Sequence, residues 1–190
     1  MTRSILLLCA PLIAFGHPVI EARVNDLNNA INKAPQIQEL YLMRGKLHAS
    51  HGDRKRAKQD LESALSIKKS PEVLVALGNL YLSEGNYTRS REYFSDALNL
   101  DPRMAKAWLG QARASAKLGY PELVLTSYKN YFSLEKNAQP GHFAAAVRTI
   151  STQDRVEAQR ILEDGINRLG PIPTLTDLAL HLELELQGSQ

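Results

Sequence analysis

The side chains best suited to chemistry in this sequence are five histidines, His17, His48, His51, His142 and His181. His48 and His51 stand three residues apart, so on a helix both imidazoles could face one metal ion. No glutamate or cysteine is spaced to complete that site. A metal-binding or metal-delivering protein built on His48 and His51 is therefore the alternative reading, with no metal or cofactor expected in the first. His17 could chelate copper only as the first residue of a processed chain. The one cysteine, Cys9, lies in an apolar run near the start, which leaves the rest of the chain without a thiolate, a disulfide or cysteine-bound zinc. There is no phosphate-binding G-x-x-x-x-G-K-[ST], no nucleophile elbow and no H-E-x-x-H. Catalysis needs a nucleophile, a base and charge stabilisation in one place, and no spacing here brings them together. No catalytic residue is assigned, and the chain is expected not to be an enzyme.

Charge narrows the partners. Lysine and arginine number 23 against 20 acids, a net charge of +3, and the two signs are mixed along the chain. A nucleic-acid binder concentrates positive charge far more, so nucleic acid is excluded as a partner. Arg54, Lys55, Arg56 and Lys58 form a local cluster, but Asp60 and Glu62 follow it, as on a solvated helix face. Contact with anionic lipid is at most peripheral. Met1-Thr2-Arg3 followed by the apolar run from Ile5 to Phe15 is too short to span a bilayer, and matches a secretory signal with Ala14 and Gly16 at its cleavage positions. Residues 1–16 are thus expected to be a signal peptide, with a periplasmic or secreted product. Retention by an uncleaved anchor is the alternative.

The positions just named must be held by a repeating frame. Tyr41 to Leu47, Leu74 to Leu80 and Trp108 to Ala114 align with one another, as do the turns Gly52-Asp53, Gly85-Asn86 and Gly119-Tyr120. Ala57, Ser90, Val124 and Ala158 form one series; Leu61, Phe94, Tyr128 and Leu162 form another; Ala64, Ala97, Tyr131 and Gly165 form a third. Each advances by 33, 34 and 34 residues. Val73, Leu74, Leu77, Leu80 and Tyr81 recur at helical spacing. Ser70-Pro71-Glu72 reads as a cap, a first-turn proline and a first-turn acid. Gly85-Asn86 ends that helix. Tyr87 to Leu100 reads as the next, burying Tyr93, Phe94, Ala97, Leu98 and Leu100. Small Gly45, Gly78 and Ala112 let paired helices approach, while large Leu61, Phe94 and Tyr128 fill the space between neighbours. Ile20 to Lys33 reads as a lone amphipathic helix. After the break Leu169-Gly170-Pro171-Ile172-Pro173, Thr174 with Asp177 would cap a last helix to about Gln187, whose outer face carries Glu183 and Glu185.

These residues resemble the tetratricopeptide repeat family in its exported bacterial type. The fit is best over 71–104, through Leu74, Gly78, Tyr81, Gly85, Tyr87, Phe94, Ala97 and Pro102. The resemblance implies an all-α solenoid of antiparallel helix pairs in a right-handed superhelix. Its parts would be a capping helix over 17–37, repeats over 38–70, 71–104 and 105–138, a degenerate repeat over 139–170, and a C-terminal capping helix over 171–190. It also implies a concave groove lined by each first helix. Carried over, that groove comprises Leu42 and Lys46; Val75, Asn79 and Leu82; and Lys106, Leu109, Arg113 and Lys117. Lys106, Arg113 and Lys117 share one helix face, suited to a carboxylate or an acidic peptide whose apolar side chains meet the leucines and Val75. Relatives with a two-carboxylate clamp have a lysine at Val75 and a second basic residue at Gly110, so that ligand is not carried over. The expected function is a non-catalytic protein-interaction module binding another protein or peptide segment. An accessory subunit of an envelope enzyme or assembly complex is the further alternative.

Overall fold

The computed structural model describes the backbone of residues 17–187 and the side chains of residues 19–182. The expected signal peptide lies outside the described residues, as do the side chains of His17, Glu183 and Glu185. Among the described residues there are ten helices and no strand. They are α1 (His17–Lys33), α2 (Gln38–Ser50), α3 (Arg54–Ile67), α4 (Pro71–Ser83), α5 (Tyr87–Leu100), α6 (Ala105–Leu118), α7 (Pro121–Leu134), α8 (Pro140–Ile150), α9 (Arg155–Leu169) and α10 (Pro173–Gln187). Adjacent helices pack as antiparallel pairs. Two compact units result, residues 1–68 with α1 to α3, and residues 69–190 with α4 to α10.

In the first unit, Gly52 takes a left-handed φ of +84° and the Asp53 side chain then accepts from Arg56 N at 3.0 Å, which starts α3. Gly45 faces Leu61: a Cβ there would stand 3.0 Å from the leucine side chain. Ala57, Leu61 and Ala64 are buried along α3. Polar groups complete this core. The Arg44 guanidinium holds the Asp60 carboxylate with two hydrogen bonds, at 2.9 and 2.6 Å, and donates a third to Asn28 of α1. Buried Gln38 donates through Nε2 to the carbonyl of Lys68, just past the end of α3, and to that of Ala64, which also accepts from Lys68 N.

In the second unit the same turn recurs, with Gly85 at φ +77° and Asn86 accepting from Arg89 N. Phe94 of α5 is fully buried against two glycines. A Cβ at Gly78 would stand 2.8 Å from its ring, and a Cβ at Gly110 of α6 only 2.2 Å. Glycine is required at 110 because the ring occupies the place of a side chain. Ser90, in a position where alanine recurs, donates from its hydroxyl to the Gly78 carbonyl at 2.8 Å, so α5 is pinned to α4. Further along, Phe132 stacks on Phe143 with centroids 4.2 Å apart, and Val147, Leu162, Leu175, Leu178 and Leu182 join one core from α7 to α10.

Several local expectations are corrected. Ser70 is extended at the start of α4, but its side chain makes no capping bond and is buried instead. Leu100, the last residue of α5, is 49% exposed and does not join the buried side. Thr174 does not cap α10. The helix already begins at Pro173, and the Ile172 carbonyl receives Thr176 N at 3.0 Å, so Thr174 lies inside the first turn. Among the described residues no helix is long and apolar enough to cross a membrane.

Candidate functional site

In the second unit α4 and α6, the first helices of successive pairs, lie against each other with α5 packed on both. Their outward sides form a wall. Asn79, Lys106, Arg113 and Lys117 are exposed on it, and Leu82 and Leu109 are half-buried between them. Spacings of 7 and 4 keep the three cations of α6 on one side of that helix. No carboxylate among the described residues pairs with Lys106, Arg113 or Lys117. The wall thus combines free cations with apolar side chains, the chemistry that holds an acidic segment bearing greasy residues. Val75 is different. It is 7% exposed and belongs to the core, so it offers a partner almost no surface.

The rotation of α6 is set by a buried polar chain. Gln111, 4% exposed, donates through Nε2 to Ser95 of α5 and accepts through Oε1 from Ser127 of α7, both at 3.0 Å. With Gln111 turned inward, Arg113 and Lys117 turn out.

Beyond α6, Tyr131 of α7 and His142 of α8 meet with Oη and Nδ1 2.6 Å apart. Tyr131 is buried and His142 half-buried. Burial pushes the Tyr131 phenol up, with Glu135 adding to it and Arg113 opposing. Burial, then the charge of Arg113, hold the His142 imidazole below its ordinary value, with Glu135 opposing. Sequence reasoning missed this pair, because position 142 lies outside the offsets that mark groove positions. Its only signal is a histidine eleven residues after a tyrosine.

In the first unit, Leu42 is buried and Lys46 exposed. His48 is buried beside Asp60, with Nε2 3.8 Å from Oδ2. Desolvation holds its imidazole low, against the pull of Asp60. His48 and exposed His51 line one cleft of about 580 Å³ with Arg44, Asp53, Arg56 and Asp60. Arg44 already engages Asp60, and Arg56 lies 3.5 Å from Asp53. Among the described residues no group of three or more histidine, cysteine or acidic side chains is arranged to hold a metal ion.

Two models of the tetratricopeptide repeat family match the chain, over residues 38–71 and 71–104. A bovine (Bos taurus) protein, BBSome complex member BBS4, is 32% identical over 90 residues, which are 47% of this chain and 17% of that protein. The chain spans less than a fifth of that relative. Three solved structures share the fold at low identity. PilF of Pseudomonas aeruginosa has a TM-score of 0.76 and 15% identity, covering 90% of this chain and 78% of that one. PilW, a type IV pilus biogenesis factor, gives 0.71 and 21%, covering 89% and 85%. YrrB, a repeat protein with an unusual peptide-binding site, gives 0.67 and 16%, covering 85% and 84%.

Proposed function

We propose that this chain, whose residues 38–104 are tetratricopeptide repeats and which is a protein-protein interaction module, docks an acidic segment of a partner protein on the wall formed by α4 and α6. Repeat proteins of this family are typically non-catalytic scaffolds, and binding without turnover is the reading adopted for this one. The observation that carries it is the row Lys106, Arg113 and Lys117, unpaired among the described residues and interleaved with half-buried Leu109 and, from α4, Leu82. Asn79 adds a neutral donor and acceptor for a peptide backbone. Leu42 and Lys46 lie in the first unit and are proposed as contacts of that unit by itself, with Leu42 supplying packing more than surface.

The apolar run from Ile5 to Phe15 supports export to the periplasm or beyond, where the partner would belong to an envelope assembly. Mass measurement of the protein recovered from its own cells tests that: a chain beginning at residue 17 is expected, and an intact residue 1 in a soluble cytoplasmic fraction overturns it. The docking itself is tested by affinity capture with the double charge reversal Arg113→Glu, Lys117→Glu. The partner retained by the natural chain should be lost while the far-ultraviolet dichroism stays unchanged. Equal retention by a folded variant would exclude the α6 wall.

A further inference from the structure

We propose that Arg113, His142 and Tyr131 form a proton-coupled seat for one carboxylate of the docked segment. The inference rests on the docking reading above and extends it from α6 to α8. The three residues come from three consecutive packed helices of the second unit, α6, α7 and α8. Arg113 has no ion pair among the described residues, and its charge acts on Tyr128, Tyr131 and His142 alike. At His142 one ring nitrogen is committed: Nδ1 is 2.6 Å from Tyr131 Oη, with the two rings edge to face at 5.3 Å. A phenol kept protonated by burial donates to Nδ1, which leaves the hydrogen of a neutral imidazole on Nε2. Nε2 has no partner among the described residues and lies on a half-buried side chain.

The charged and titratable groups that face His142 are Arg113 from α6, Tyr131 from α7 and Glu135 just beyond the end of α7. Without a ligand, burial and Arg113 together disfavour the imidazolium, and Glu135 only partly offsets them. A carboxylate placed between Arg113 and Nε2 reverses that balance. It accepts from the guanidinium and from Nε2, cancels the repulsion felt by the ring, and favours a second proton on the imidazole. The proton comes from solvent and arrives at Nδ1, whereupon Nδ1 donates and the tyrosine oxygen accepts. Docking therefore takes up as much as one proton whenever the pH lies between the free and the liganded values of His142, and affinity rises as the pH falls through that window.

The test is isothermal titration of the full chain with a capped Ser-Leu-Glu-Leu-Glu-Ser peptide from pH 5.5 to 8, in buffers of different ionisation enthalpy. Glutamate is ionised throughout that range, its ordinary value being about 4.3. Affinity should rise on acidification by up to about tenfold per pH unit, with proton uptake approaching one per peptide. His142→Gln should still bind but lose both the pH dependence and the uptake, and Arg113→Gln should bind more weakly at every pH. Binding by the natural chain without proton uptake, or uptake unchanged in His142→Gln, overturns the seat and leaves α6 as a docking wall. Binding to phosphatidylglycerol vesicles but to no peptide overturns the seat and the acidic-partner reading together.

Discussion

The helix pair α2/α3 and the helices α4 to α6 are built on the same repeat frame and solve their packing in opposite ways. In the first, Gly45 meets an aliphatic Leu61, and the neighbouring space is filled by the Arg44–Asp60 ion pair with the polar side chains of Asn28 and His48. In the second, an aromatic ring is clasped between Gly78 and Gly110, with neutral hydrogen bonds nearby, from Ser90 to the Gly78 carbonyl and from Gln111 to Ser95. An aromatic ring makes more contact than a leucine but demands that both walls give up their side chains. A leucine leaves the walls freer and leaves room for ionised groups, which must then find partners. One repeat position can thus carry either a dry or a polar neighbourhood, and the glycines flanking it reveal which.

The contrast can be broken most forcefully at the ring. Phe94→Ala should cost about 3–5 kcal/mol, because no neighbour can move into the volume between two helix backbones. Leu61→Ala should cost less within the same class of change. Chemical denaturation of the two variants side by side measures the difference, and an equal or greater loss at Leu61 would contradict the comparison. The next effect comes from the wall. Gly110→Ala should cost about 1–3 kcal/mol by forcing Phe94 aside, and Phe94→Leu in the same chain should recover part of that loss, so that the two changes are not additive. Strict additivity would mean that the ring and the glycine do not confront one another.

The smallest expected effect belongs to the charged neighbourhood. His48 is held below the ordinary imidazole value of 6.5, so the unfolded chain takes up its proton first. Its contribution to stability is therefore full above about 6.5 and is lost as the pH falls through the lower folded value. Amide protection factors across α2 and α3, corrected for the intrinsic pH dependence of exchange, should fall on acidification from 7.5 to 5.5, and His48→Gln should reduce that change. A response identical in the variant would assign it to other groups.

The helix pairs were legible from sequence because two signals with separate physical origins coincide. A left-handed glycine recurs at the turns of the first three pairs, as Gly52, Gly85 and Gly119, and a small residue faces a large one at a fixed offset. The residues that went astray lie where a local rule met a tertiary one. Gly110 reads as a missing base from the standpoint of ligand binding, whereas its real constraint is a phenylalanine sixteen positions earlier that leaves no room for a Cβ. Val75 and Leu42 stand at groove positions by register, yet burial takes them into the core. The two serine partners of Gln111 sit on other helices, where single-helix periodicity cannot find them. His142 meets Tyr131 across two helices, a contact that no spacing along one of them announces.

The amide of Gln111 works as a locating pin between α5 and α7. Turning α6 by a single residue, roughly 100° about its axis, would strand the donor and the acceptor of that amide and the Ser127 hydroxyl in a dry interior. The azimuth of α6 is consequently indexed rather than merely preferred, and the direction in which its positive charges point is decided inside the protein, at a side chain that no partner ever touches.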